Sequence, residues 1–386
     1  MTPRSSCAAL ALAGLVAAGA AAGVFDDKPC AALPSVGLPR ALCAADFDAD
    51  GRADLAVAAW TRADGGKGVE QGKGRVLVFL QKPDGGLAAA PVKTLSVAAP
   101  LDVAAGDYDG DGKPDLAVLE RRRLSLFLSA DGFQKPISQP NVNHGSGLTT
   151  LQATRLDPGA RRGADFLSGP VLWRWRGGDG FQAGYFSGPT ASDNGLCVAA
   201  DLFLSGASDL VFLSGPEARV YAGPILSLTP KTSDLAEYAA LLSDAGPLRS
   251  LAAGDVTGDG RPDIVASAAG KEGQPGQILI FRQNAPLGFC DKAGPSARIP
   301  CVSGELRLSD VNKDGLLDLL VCDARGAVHV LAQRQGKGLP PGPDQTLDVD
   351  AACFTVGNLA LGRPALVVGQ RKTGRILVFA GAKTHP

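Results

Sequence analysis

The sequence predicts an all-β fold, a seven-bladed β-propeller with calcium-binding hairpin loops. Three observations predict it. A short acidic loop recurs, intact or decayed, about seven times; apolar runs rich in branched residues follow the loops; and the recurrences start 44 to 61 residues apart. Such runs read as strands, and a repeat of that length has room for four short strands with their turns. Seven four-stranded units close into a ring.

Four loops are intact: residues 46–57 (DFDADGRADLAV), 107–118 (DYDGDGKPDLAV), 255–266 (DVTGDGRPDIVA) and 310–321 (DVNKDGLLDLLV). Each carries oxygen side chains at loop positions 1, 3, 5 and 9. These are Asp46, Asp48, Asp50 and Asp54; Asp107, Asp109, Asp111 and Asp115; Asp255, Thr257, Asp259 and Asp263; and Asp310, Asn312, Asp314 and Asp318. A hard cation such as calcium takes six to eight oxygens at flexible geometry, and the Gly at position 6 permits the sharp turn. An EF-hand also opens D-x-D-x-D-G, but it needs a bidentate Glu at position 12 and helices on both sides. Position 12 here is Val57, Val118, Ala266 or Val321, which bind no metal. About four structural calcium sites are expected, with a metal-free acidic turn as the alternative at each. The two loops with four Asp are expected to bind most tightly.

Three copies are decayed. Asp157 and Asp165 keep the spacing of Asp107 and Asp115 but have Arg161 at position 5, and Asp201 and Asp209 keep it with Phe203 at position 3. The copy from Gly357 (GNLALGRPALVV) has lost every carboxylate. Blade motifs therefore start near 46, 107, 157, 201, 255, 310 and 357. In the third, Arg161 between Asp157 and Asp165 is the expected substitute for a cation.

These D-x-[DNT]-x-D-G-x-x-D-[LI] loops resemble the FG-GAP or VCBS repeats of integrin α-subunit propellers and many secreted bacterial proteins. The resemblance spans nearly all of residues 23–386. It implies calcium in the loop joining the first and second strands of a blade. It also implies a backbone carbonyl ligand from position 7, here Arg52, Lys113, Arg261 or Leu316. The three decayed copies depart from the pattern and are assigned no metal.

In chain order, residues 1–22 read as a secretory signal: Arg4 precedes an Ala/Leu/Gly-rich stretch with small residues near Ala22. Export to the periplasm, cell surface or medium suits loops of this kind, since extracellular modules bind calcium at about 10⁻⁴–10⁻³ M. No other segment is apolar enough to span a bilayer. Seven Cys follow the signal. Cys290 with Cys301 and Cys30 with Cys43 are the candidate disulfides, with Cys197 the free thiol.

The seventh blade runs out of chain after three strands, so the segment from Ala31 (AALPSVGLP) is expected to supply its fourth and close the ring. Two insertions mark the face opposite the metal loops. One is a long polar loop after Trp60 (TRADGGKGVEQGKGR). The other, residues 232–246 (TSDLAEYAALLSDAG), reads as a short helix capped by Asp234, with Glu237 three residues on.

Catalytic signals are sparse. His144 lies in a polar loop, His329 in a strand pattern and His385 in the tail. Trp173 and Trp175 alternate with Arg174 and Arg176, so on a strand the Trp share one face and the Arg the other. Exposed, the Trp would stack on sugars; packed between blades, they would leave the Arg solvated. A formal charge of −1 and no basic stripe argue against nucleic acid. The expected function is a secreted, calcium-binding scaffold for adhesion to a protein or cell-surface glycan. The alternative is a carbohydrate-active enzyme resembling polysaccharide lyases on propellers.

Overall fold

The structure is a computed structural model. It describes residues 23–34, 36–62, 69–140, 150–154, 156, 165–169, 171–175, 180–186, 196–227, 235, 237–271, 274–285, 288–289, 297–300, 304–360 and 362–382. Seven four-stranded antiparallel sheets make the seven blades. Their first strands are Leu38–Ala45, Pro100–Gly106, Gln152–Thr154, Cys197–Ala200, Leu248–Gly254, Gly304–Ser309 and Ala351–Ala360. Helical structure among the described residues is a single 3-10 turn, Ser129–Asp131.

The second strands explain the apolar runs. Along Asp54–Arg62, Leu55, Val57 and Ala59 pack toward the seventh blade, while Ala56 and Ala58 pack toward the second. A strand buried on both faces must be apolar without alternation. The same arrangement holds around the ring. Seven apolar clusters of described residues each join two neighbouring blades.

Closure follows the expectation. Ala31–Leu33 pairs antiparallel with Ile376–Ala380, with Ala31 opposite Val378, and completes the seventh blade. The segment before it is clamped by Gln345 of the sixth blade. Its side-chain amide donates to the Phe25 carbonyl at 2.8 Å, and its oxygen accepts the Phe25 N–H at 2.8 Å.

Several expectations are corrected. The segment read as a helix contains the strand Glu237–Leu242, the fourth of blade four; Asp234 lies outside the described residues. Ala239 and Leu241 bury alternately, and pairing with Glu217–Tyr221 satisfies the sheet, so tertiary pairing overrides a helical pattern of short span. Most of the polar insertion after Trp60 is strand as well. Asp54–Arg62 and Val69–Phe79 extend the hairpin, and Arg62 pairs with Val69. Cys30 and Cys43 are both free thiols. Cys30 precedes the outermost strand of blade seven, whereas Cys43 lies on the innermost strand of blade one. Cys197 is free and buried; Cys290 and Cys301, His144, His385 and the signal stretch lie outside the described residues. No helix among the described residues is long and apolar enough to cross a membrane.

Candidate metal loops

Five loops share one hydrogen-bond scheme built on two carboxylates. The first is position 1. Asp46 accepts the Asp50 N–H at 3.0 Å and the Gly51 N–H at 2.8 Å. Asp107, Asp201, Asp255 and Asp310 take the equivalent position-6 N–H at 2.7–3.0 Å. The position-6 glycines hold φ between 81° and 87°, a left-handed turn that carries little cost without a Cβ.

The second carboxylate is at position 9, and it is a hub. One oxygen of Asp54 accepts the Phe47 N–H at 2.9 Å, and the other accepts the Gln81 N–H at 2.8 Å, just past the third strand. Asp115 does the same with Tyr108 and Ser129, Asp209 with Leu202 and Gly223, Asp263 with Val256 and Gln283, and Asp318 with Val311 and Gln333. All five are buried. Burial, against the pull of those N–H donors, pushes Asp54, Asp115 and Asp318 up to about 6, and it raises Asp209 and Asp263 too. An oxygen that accepts a single N–H keeps a second lone pair, so the hub role and metal ligation are compatible.

Position 5 fixes position 7. Asp50, Asp111, Asp259 and Asp314 accept the N–H of Arg52, Lys113, Arg261 and Leu316 at 2.8–3.0 Å. In two loops the arginine side chain also returns, Arg52 onto Asp50 and Arg261 onto Asp259 at 3.2 Å. Although burial opposes it, the Arg261 N–H and guanidinium hold Asp259 low.

The clusters themselves differ. In blade one Asp46, Asp48 and Asp50, and in blade two Asp107, Asp109 and Asp115, bring carboxylate oxygens within 4.8 Å of one another. Calcium–oxygen distances of about 2.3–2.6 Å put opposite ligands roughly 5 Å apart, so these sets suit a hard divalent cation. Burial, with the neighbouring Asp charges, raises Asp48 and Asp109. Asp255, Thr257, Asp259 and Asp263 share the hairpin frame without drawing three carboxylates together, as do Asp310, Asn312, Asp314 and Asp318. In the last loop Asn312 donates to Asp314 at 2.9 Å.

The decayed loops show what the remaining carboxylates do. Blade four keeps Asp201 and Asp209, hence the whole hydrogen-bond frame, while Phe203 packs against Tyr238 and Phe289. In blade three Asp157 and Arg161 lie outside the described residues, and Asp165 is held by Arg174. The guanidinium meets both Asp165 oxygens at 2.9 and 3.1 Å and donates on to the Ile225 and Leu226 carbonyls of blade four. Arg174 is therefore buried, not solvated. Trp173 packs between blades two and three, and Trp175 is half-buried against Phe181. The Trp-Arg alternation beside a loop that keeps Asp157 and Asp165 but has Arg161 at position 5 is the sequence signal for this cation. His329 sits in its strand, with Nδ1 2.9 Å from Thr346 Oγ1 and Nε2 3.4 Å from Asp323.

Comparison with known proteins agrees with this geometry. An FG-GAP-like repeat family model matches residues 46–118, and an FG-GAP repeat model matches residues 248–281. Among solved structures, BBS1N in complex with ARL6DN is similar in two crystals. The one soaked with mercury gives 10% identity and TM-score 0.57, and the one soaked with lead gives 11% and 0.58; each covers 94% of this chain and 98% of that chain. A humanized mutant of the Chaetomium thermophilum Polycomb Repressive Complex 2 bound to the inhibitor GSK343 gives 12% and 0.58, covering 91% of this chain and 95% of that chain. At such identities the likeness is one of fold. No curated protein sequence matches.

Proposed function

We propose that this chain, an FG-GAP repeat propeller, works as an exported, calcium-stapled scaffold that binds a protein or cell-surface glycan. The observation that carries the reading is the pair of carboxylate trios in blades one and two, set within a hydrogen-bonded hairpin frame that five blades repeat. Carboxylates crowded this closely repel one another, and a bound divalent cation relieves the repulsion. Asp46, Asp48, Asp50 and Asp54, and Asp107, Asp109, Asp111 and Asp115, would hold the ions, with Asp255 to Asp263 and Asp310 to Asp318 as weaker sites. The ion's contribution is to staple a hairpin.

Recognition falls to the other face, where second-to-third strand and between-blade loops emerge. Propellers of this shape include BBS1N, solved in complex with ARL6DN, which supports a protein partner; fold alone does not name it. The test has two arms. Calcium is titrated calorimetrically into chelator-treated protein, with tight sites expected to vanish in Asp50→Ala and Asp111→Ala. A glycan array and a cross-linking pull-down are then run in calcium and in chelator. Absence of saturable calcium heat overturns the staple. Cleaved sugar in the array eluates would replace the scaffold with an enzyme.

A further inference from the structure

The first strands line a central channel of about 1090 Å³. In three blades the residue six before the first loop Asp is a β-bulge. Register slips between Pro39 and Ala41, between Pro100 and Asp102, and between Leu248 and Ser250, leaving Arg40, Leu101 and Arg249 unpaired in the ladder. A bulge re-aims its side chain, and all three residues line the channel. Being at the start of the first strands, they stand at the mouth opposite the carboxylate loops.

The channel's acids are already engaged. Asp102 accepts the Val103 N–H at 2.8 Å and the Leu151 N–H at 2.6 Å. Glu305 pairs with Arg307 at 3.0 Å. Asp323 takes two turn N–H groups and faces His329. The bulge arginines are not engaged in this way. Arg249 is exposed, with no hydrogen-bond or ion-pair partner among the described residues. Arg40 lies with its guanidinium carbon 4.8 Å from the centre of the Trp60 ring, and its buried Nε has no hydrogen-bond partner. Both arginines line one cavity of about 1090 Å³, and a guanidinium matches a carboxylate or phosphate edge.

We infer that the channel mouth binds a small molecule bearing an oxyanion group, a carboxylate or a phosphate, held between Arg40 and Arg249. The site is independent of calcium in the loops. Arg307 lies deeper in the channel, paired with Glu305 and turned toward Phe354.

The full chain is titrated with inorganic phosphate and, separately, with succinate at low ionic strength, with glucose as a neutral control. Heat is followed by calorimetry and Trp60 by its emission, because Arg40 covers its ring. Saturable binding of at least one anion is expected, and the stronger arm identifies the group as phosphate or carboxylate. Arg249→Gln should weaken it at least tenfold at unchanged melting temperature, and Arg40→Gln should also remove the emission change. Failure of both anions to saturate overturns the site. So does unchanged affinity in the Arg40→Gln/Arg249→Gln double variant.

Discussion

Removing Arg174 would strand the Asp165 carboxylate, since both partners are at least nine-tenths buried. Breaking such a pair from one side costs about 3–5 kcal/mol. Arg174→Met is therefore expected to lose that much in urea unfolding, equally in calcium and in chelator, because this cation is covalently part of the chain. Adding Asp165→Leu should recover part of the loss; a single-variant loss below about 1 kcal/mol would mean the pair is solvent-screened. Asp102 gives a pH signature. Burial pushes its carboxyl up to about 7, against the Leu151 and Val103 N–H donors and the charge of Arg307 that lower it, while Glu305 adds to the rise. The unfolded value is about 3.9. A group raised on folding contributes stability below its unfolded pKa and loses it as pH climbs through its folded pKa. The melting temperature of the native chain, minus that of Asp102→Asn, should thus fall between pH 4 and pH 7. A flat difference curve would refute the assignment.

At the scale of the loop, one hairpin frame serves intact and decayed loops alike, because the position-1 and position-9 carboxylates satisfy backbone donors before any ion is considered. The calcium reading predicts an order. Asp50→Ala and Asp111→Ala should each lower the melting temperature in calcium more than Asp259→Ala or Asp314→Ala, with the differences shrinking in chelator. Equal shifts in both conditions would assign these Asp to backbone capping alone. The loops were legible in sequence because their chemistry is local: every acid of a site lies within nine positions of the chain. The same locality hid the hub at Asp54 and its equivalents, whose second partner, such as Gln81, arrives from another strand. The burial of Arg174 is hidden in the sequence for a related reason. Strand alternation places it opposite Trp173 and Trp175, but its burial depends on the Ile225 and Leu226 carbonyls of the next blade. The segment around Glu237–Leu242 carried helix signals at its ends, and only the vacancy beside Glu217–Tyr221 makes it a strand. Cys30 and Cys43 looked close along the chain and are separated by the width of a blade.

At the scale of the whole ring, stability depends on one seam. Six blades are continuous in sequence, whereas the seventh borrows Ala31–Leu33 from the other end of the chain, so both termini must meet before the ring is complete. Contacts so distant in sequence form late and cost loop-closure entropy, and the seam is secured accordingly. Phe25 is 1% exposed within the cluster that joins blades six and seven. Gln345 brackets its backbone with two hydrogen bonds, and Leu33 enters the cluster between blades seven and one. Phe25→Ala should cost about 3–5 kcal/mol, more than most single apolar truncations on the surface of any one blade. Starting the chain at residue 35 should do something different in kind. It uncovers the edge of Ile376–Ala380, whose unpaired N–H and C=O groups form a template for another chain. Light scattering on this truncated chain should show self-association that a synthetic peptide of residues 23–34 suppresses in trans. A monomer that melts at the native temperature would show that the seam contributes nothing, and the ring would have to be held by its blade-to-blade clusters alone.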